Sequence, residues 1–184
     1  MSNISVGMTL PDFELPDQDG TMRKLSDLQS DDAMVLLLGR GEHCPRERQH
    51  QREMVRFHGW CPVAFTQLVT ILPNDLHDIF RLRSSSGAHW TYLSDAELEV
   101  RNTLGIEEYT DTHHDYAVVP HALVLAPGLV VDKIHVGYWF WGRPTPEQLW
   151  ADLADLFECI KPDFDPTTPD ARAAWEATQP AGVA

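Results

Sequence analysis

The chain has 184 residues, a length that fits one domain with a modest tail and can bury a real core. Its residues are 43% hydrophobic and 23% charged, an ordinary soluble globular composition. The net charge of −14 argues against nucleic acid as a partner, because phosphate binding needs clustered lysine and arginine. No apolar run approaches the ~18 residues of a membrane span, and MSNISVGMTL lacks a basic start followed by a long apolar run. A cytoplasmic location without membrane contact is the expectation. Cys44, Cys61 and Cys159 are too few and too scattered for a disulfide scaffold.

Along the chain, PDFELPDQDGTMRKLSDL predicts two short extended pieces around a turn at Asp17–Gly20, with Gly20 free to take a positive φ. AMVLLLG (Ala33 to Gly39) is an apolar run of strand length, as expected of a strand covered on both faces. A helix follows from Pro45 to about Phe57, with proline in its first turn and His58-Gly59 as a stop. VAFTQLVTIL (Val63 to Leu72) predicts a second buried strand. PNDLHDIFRLRSSSG then reads as a helix, capped by Asn74 or Asp75 and ended by Gly87.

HWTYLSD predicts a short extended piece, and AELEVRNTLGI a helix with Leu98 and Leu104 near one face and Gly105 just beyond. HALVLAPGLVVDKIHVG predicts a hairpin around Pro127-Gly128. TPEQLWADLADLFECI (Thr145 to Ile160) spaces Leu149, Leu153, Leu156 and Ile160 as an amphipathic helix does. The order implies an α/β fold with a mixed central sheet flanked by helices. Residues 1–160 form the expected domain and 161–184 a tail, with Phe164 and Trp175 as its anchors if it is ordered.

Four segments resemble the thioredoxin-fold superfamily and, within it, the peroxiredoxin-like alkyl hydroperoxide reductase and thiol-specific antioxidant group. VGMTLPDFELPDQDG resembles the opening Gly-x-x-x-Pro-Asp-Phe-x-Leu. VLLLGRGEHCP resembles the strand that delivers Cys-Pro to a helix start. YLSDAELEVRNTLGI resembles the segment after the third helix-bearing unit. VVPHALVLAPGLVV resembles the Pro-led hairpin, which implies a cis Val119–Pro120 bond facing the reactive cysteine. The resemblance spans roughly residues 6 to 157. It implies a thioredoxin-like fold and a thiol-dependent oxidoreductase or peroxidase, with antioxidant chemistry, no cofactor and no metal.

Three departures stand out. The motif Pro-x-x-x-Thr-x-x-Cys has Leu37 for its proline and Gly41 for its threonine. Pro120 stands where the group carries a later arginine. Glu47 holds the third position after the cysteine, where a dithiol relative has its second thiol.

Cysteine attacks as thiolate, and a helix N-terminus directs unpaired N–H groups and positive charge toward Cys44. Arg40, His43, Arg46 and Arg48 add positive charge, with Arg40 and Arg46 the first choices to replace the missing arginine; Glu47 opposes them if it faces the sulfur, unless an arginine neutralises it. His43, Cys44, Glu47 and His50 also allow a weaker metal reading. Cys61, beyond a helix of ~20 Å, is too far to bridge Cys44, since a disulfide needs Cα atoms within about 7 Å. Cys159 reads as a packing residue, with a resolving thiol that reaches a partner subunit as the alternative. A one-cysteine cycle follows, in which an external thiol reduces a sulfenic acid formed by a hydroperoxide; a disulfide is the other substrate class.

Pro120, His121, Trp139 and Trp141 are expected to line the substrate pocket. The run Tyr138–Trp141 serves as a pocket wall, a homodimer contact, or core packing under the tail. Arg143 is placed toward the same side, and His113 or His114 is a candidate proton donor as well as a solvated loop residue. Two rival functions remain: a non-catalytic thioredoxin-fold binding module, and a divergent enzyme recruited to non-redox chemistry.

Overall fold

The structure is a computed structural model that describes residues 2–108, 118–138 and 141–160, together with Pro169 and Ala173. The expected tail anchors Phe164 and Trp175 lie outside the described residues. Its elements are β1 (Glu14–Pro16), β2 (Met22–Lys24), α1 (Leu25–Gln29), β3 (Ala33–Leu38), α2 (Pro45–Trp60), β4 (Thr66–Leu72), α3 (Leu76–Ser86), β5 (Thr91–Ser94), α4 (Glu99–Thr103), β6 (His121–Ala126), β7 (Val130–Val136) and α5 (Pro146–Ile160). No helix among the described residues is long and apolar enough to cross a membrane.

Five strands form a sheet in the order β5-β4-β3-β6-β7. β3 runs parallel to β4, with Val35 opposite Leu68, and antiparallel to β6, with Leu36 opposite Leu123. β3 is therefore central, and all six of its residues are buried, as its unbroken apolar sequence predicts. Its side chains alternate between two cores. Met34, Leu36 and Leu38 pack with Leu10, Phe13, Val100 and Leu123 on one face. Ala33, Val35 and Leu37 pack with Met54 and Phe57 of α2, Ile79 of α3, and Leu149 and Leu153 of α5 on the other.

Several element boundaries depart from expectation for local reasons. Gly59 does not end α2; the helix continues to Trp60 and tightens into a 3-10 turn at Cys61–Ala64. Phe65, with φ 42°, then redirects the chain, so β4 begins at Thr66 rather than Val63. α4 is only five residues long, because Leu98 sits at φ 59° and Asp95 Oδ1 and Oδ2 accept from the N–H groups of Val100 and Arg101. α3 follows expectation: the Asp75 carboxylate accepts from Asp78 N, and Gly87 closes the helix at φ 74°.

The hairpin forms as expected around Pro127-Gly128, but its entry differs. The Val119–Pro120 bond is trans, and no cis bond occurs among the described residues. Trans is the lower-energy state of an X–Pro bond.

Leu36 is 1% exposed at the centre of one core. Leu36→Ala should lower unfolding free energy by about 2–5 kcal/mol in urea denaturation; a loss below about 1 kcal/mol would contradict this packing.

Candidate active site

The end of β3 delivers the chain to α2 through Gly39-Arg40-Gly41-Glu42-His43-Cys44. Gly39 N still donates to Ile71 O at 3.0 Å, continuing the sheet. Gly41 then takes φ 115°, a conformation that a side chain resists. A Cβ there would stand 2.7 Å from Asn74 Oδ1, which accepts from Glu42 N at 2.9 Å. The missing threonine thus has a physical counterpart: at this position a β-branched residue would require a different loop.

Cys44 is the N-cap of α2, with Pro45 as the first helical residue and Arg48 N donating to Cys44 O at 3.1 Å. The residue is 4% exposed. Arg40 Nη1 donates toward its Sγ at 3.8 Å, so a guanidinium and the positive end of α2 both face the sulfur. Of the two arginines favoured from sequence, Arg40 makes this contact, whereas Arg46 Nη1 donates to Gln49 Oε1 at 2.7 Å along the helix surface. His43 is half-buried beside Gly41.

Glu47 is on the buried face of α2, where its carboxylate is held from three segments. Oε2 accepts from Arg40 N at 3.1 Å and from Arg143 Nη2 at 3.4 Å; Oε1 accepts from Gln51 Nε2 at 2.8 Å. The Glu47 and Arg143 side chains are only 1% and 6% exposed. Burial pushes the Glu47 carboxyl up, but the Arg143 guanidinium and these hydrogen bonds hold it below its ordinary value. Glu47 is therefore a neutralised anion. Of the two sequence expectations for Glu47, opposition to a thiolate or neutralisation by an arginine, the second holds: Arg143 pairs with the carboxylate, which also accepts from the Arg40 backbone.

Gly39 makes room for this arrangement. A Cβ there would stand 2.8 Å from the Glu47 carboxylate and 2.5 Å from Leu72 Cδ2. Beyond Gln51 the hydrogen bonds continue inward. Tyr92 Oη and Thr70 Oγ1 donate to Gln51 Oε1 at 2.6 and 3.3 Å, and Trp90 Nε1 donates to Thr70 Oγ1 at 2.9 Å. Sequence reasoning missed this network. Gln51, four residues after Glu47, was detectable by helical spacing; Thr70, Trp90 and Tyr92 carried no such signal.

Among the expected pocket residues, Pro120 and His121 do line a small cavity of about 10 Å³ with Glu47, His50, Arg143 and Pro144. His121 is tied on both sides, with Nδ1 2.9 Å from Val119 O and Nε2 3.1 Å from Ser2 Oγ. Trp141 is 76% exposed in a tight turn with Tyr138. Trp139, His113 and His114 lie outside the described residues.

The metal reading fails. His50 Nε2 donates to Pro144 O at 3.1 Å and Glu47 is committed to its protein partners, so the ligands do not converge. No group of three His, Cys, Asp or Glu among the described residues could hold a metal. Cys61 Sγ donates to Phe57 O at 3.4 Å, and burial pushes its thiol up to about 12. Cys159 is exposed rather than packed, because the last turn of α5 points it away from the core. All three cysteines are free.

This site, on a mixed sheet with the cysteine at a helix start, defines a thioredoxin-like thiol protein. The profile of the AhpC/TSA family matches residues 6–133, and the chain belongs to that family. No curated protein matches the sequence.

Solved structures similar to this one include a cysteine-to-serine mutant of peroxiredoxin 6 from Arenicola marina, at 14% identity over 86% of this chain and 76% of that one, with a TM-score of 0.75. A reduced Prx3 from Vibrio vulnificus in complex with hydrogen peroxide gives 19%, 82%, 96% and 0.73 in the same order. The yeast mitochondrial 1-Cys peroxiredoxin gives 13%, 93%, 92% and 0.72. At these identities the similarity is one of fold.

Arg143→Ala should cost about 3–5 kcal/mol in urea unfolding, because it strands the buried Glu47 charge, while Glu47→Gln should cost less. Equal losses would contradict a buried ion pair. A pH effect is also expected, since burial holds the His50 and His121 imidazoles below their ordinary 6.5. The unfolded chain takes up these protons first as pH falls through about 6.5, so their contribution is intact above about pH 7 and declines below it. Urea midpoints at pH 7.5 and 5.5 should show the lower value at 5.5; a flat profile would refute neutral buried histidines.

Proposed function

We propose that the chain is a one-cysteine thiol peroxidase in which Cys44 attacks a hydroperoxide. The contact of Arg40 Nη1 with Cys44 Sγ at the start of α2 carries this reading. The guanidinium and the helix end stabilise the thiolate and the negative charge that develops on the peroxide oxygens. The S–O bond forms as the O–O bond breaks, leaving Cys44 as sulfenic acid; the departing alkoxide is protonated by solvent. Glu47 and Arg143 act as positioning residues, fixing the backbone from which Arg40 projects.

Cys61 is buried at the opposite end of α2 and Cys159 lies in the last turn of α5, so an external thiol completes the cycle. A cytoplasmic location, where such thiols stay reduced, suits this cycle. The exposed Tyr138 and Trp141 supply a surface for a homodimer.

A binding module without catalysis draws support from the burial of Cys44 and from Gly41 in place of threonine. Sulfenic-acid trapping distinguishes the two. Cys44→Ser should abolish peroxide consumption, and Arg40→Ala should slow oxidation of Cys44 by about 10²-fold while the fold survives. Unchanged turnover in Cys44→Ser would end the peroxidase reading.

A further inference from the structure

Between α2 and α3 lies an open groove of about 800 Å³, within the ~300–1,000 Å³ range of small-molecule sites. Arg48 and Arg52 of α2 and Arg81 of α3 line it. Three of the chain's 14 basic residues thus gather at one opening of a protein with net charge −14. Arg48 and Arg52 are four residues apart on one face of α2, where like charges destabilise a helix unless an anion lies between them.

The protein supplies that anion only in part. Glu42 is the one acidic residue of the lining, and its Oε1 stands 3.8 Å from both Arg48 Nη1 and Arg81 Nη2, an ion-pair distance beyond hydrogen-bond length. Arg81 Nη1 also reaches Asp78 Oδ1 at 3.5 Å. Arg52 has neither an ion pair nor a side-chain hydrogen bond among the described residues. Three guanidiniums against one carboxylate leave the lining with a net two positive charges.

An apolar surface stands beside this charge. The Phe80 ring lines the same groove and is 57% exposed, which leaves an aromatic face open for stacking. Ser84, one helical turn further on, adds a hydroxyl with no hydrogen bond among the described residues. A single carboxylate would neutralise only one of the two charges. A phosphomonoester carries about −1.5 to −2 at neutral pH and three acceptor oxygens, which suits forked donors arriving from two helices. Inorganic phosphate would satisfy the arginines and leave Phe80 in water; a phosphate joined to a ring covers both.

We infer that this groove binds a small phosphomonoester carrying a planar ring, the chemistry of a nucleoside monophosphate. Its phosphate sits among Arg48, Arg52 and Arg81, and its ring stacks on Phe80. The site is independent of Cys44 and stands whether or not the chain reduces peroxide.

The test is isothermal titration calorimetry of the full chain at low salt with AMP, ribose 5-phosphate, adenosine and inorganic phosphate. AMP should bind with a Kd on the order of 100 µM. Ribose 5-phosphate and inorganic phosphate, which lack the ring, should bind about tenfold more weakly. Adenosine, which lacks the charge, should also lose about tenfold or more, and high salt should weaken AMP toward it. The Arg52→Gln/Arg81→Gln double variant should bind AMP no better than adenosine. Phe80→Ala should bring AMP down to ribose 5-phosphate and leave ribose 5-phosphate unchanged. All these positions are exposed, so urea midpoints close to that of the parent chain are expected.

Equal affinity for AMP and inorganic phosphate overturns the proposal, because it reduces the groove to a general anion patch. AMP binding that survives the double variant places the ligand elsewhere and overturns it too. Absence of saturation by AMP has the same consequence; a changed sedimentation coefficient in the double variant would then assign the groove to contact between copies of the chain.

Discussion

A carboxylate with almost no access to water organises this end of the molecule. Glu47 can remain ionised there only because Arg143, Gln51 and the backbone N–H of Arg40 surround it. Those partners come from the loop before α5, from the next turn of α2 and from the segment leaving β3. One charge thereby couples three parts of the chain that the apolar cores alone would leave free to slide. Leu36 and Leu37 can tolerate small shifts in packing; a buried ion pair with directional hydrogen bonds cannot.

The arrangement around Cys44 follows from that constraint. With the Arg40 backbone anchored to Glu47, its guanidinium extends to the Cys44 sulfur, and Gly41 supplies the positive φ that turns the chain into α2. Gly39 has no side chain where the Glu47 carboxylate must pass. The two glycines therefore serve different ends, one conformational and one spatial. His50 donates to Pro144 O and ties the loop carrying Arg143 to the same helix, so protonation and ion pairing are linked across a few ångströms.

What was legible in the sequence was what depends on neighbours along the chain. The unbroken apolar run of β3, the Pro127-Gly128 turn, the Asp75 cap and the Leu149–Leu153–Leu156 stripe all express local periodicity or local hydrogen bonding, and each appears where those rules place it. Cys44 at a helix start was legible for the same reason. The choice of Arg40 over Arg46, the neutralisation of Glu47 by a residue 96 positions away, and the Gln51–Tyr92–Thr70–Trp90 network were decided only when distant segments met. Burial and electrostatic partnership are properties of three-dimensional neighbours, and no spacing along the chain encodes them.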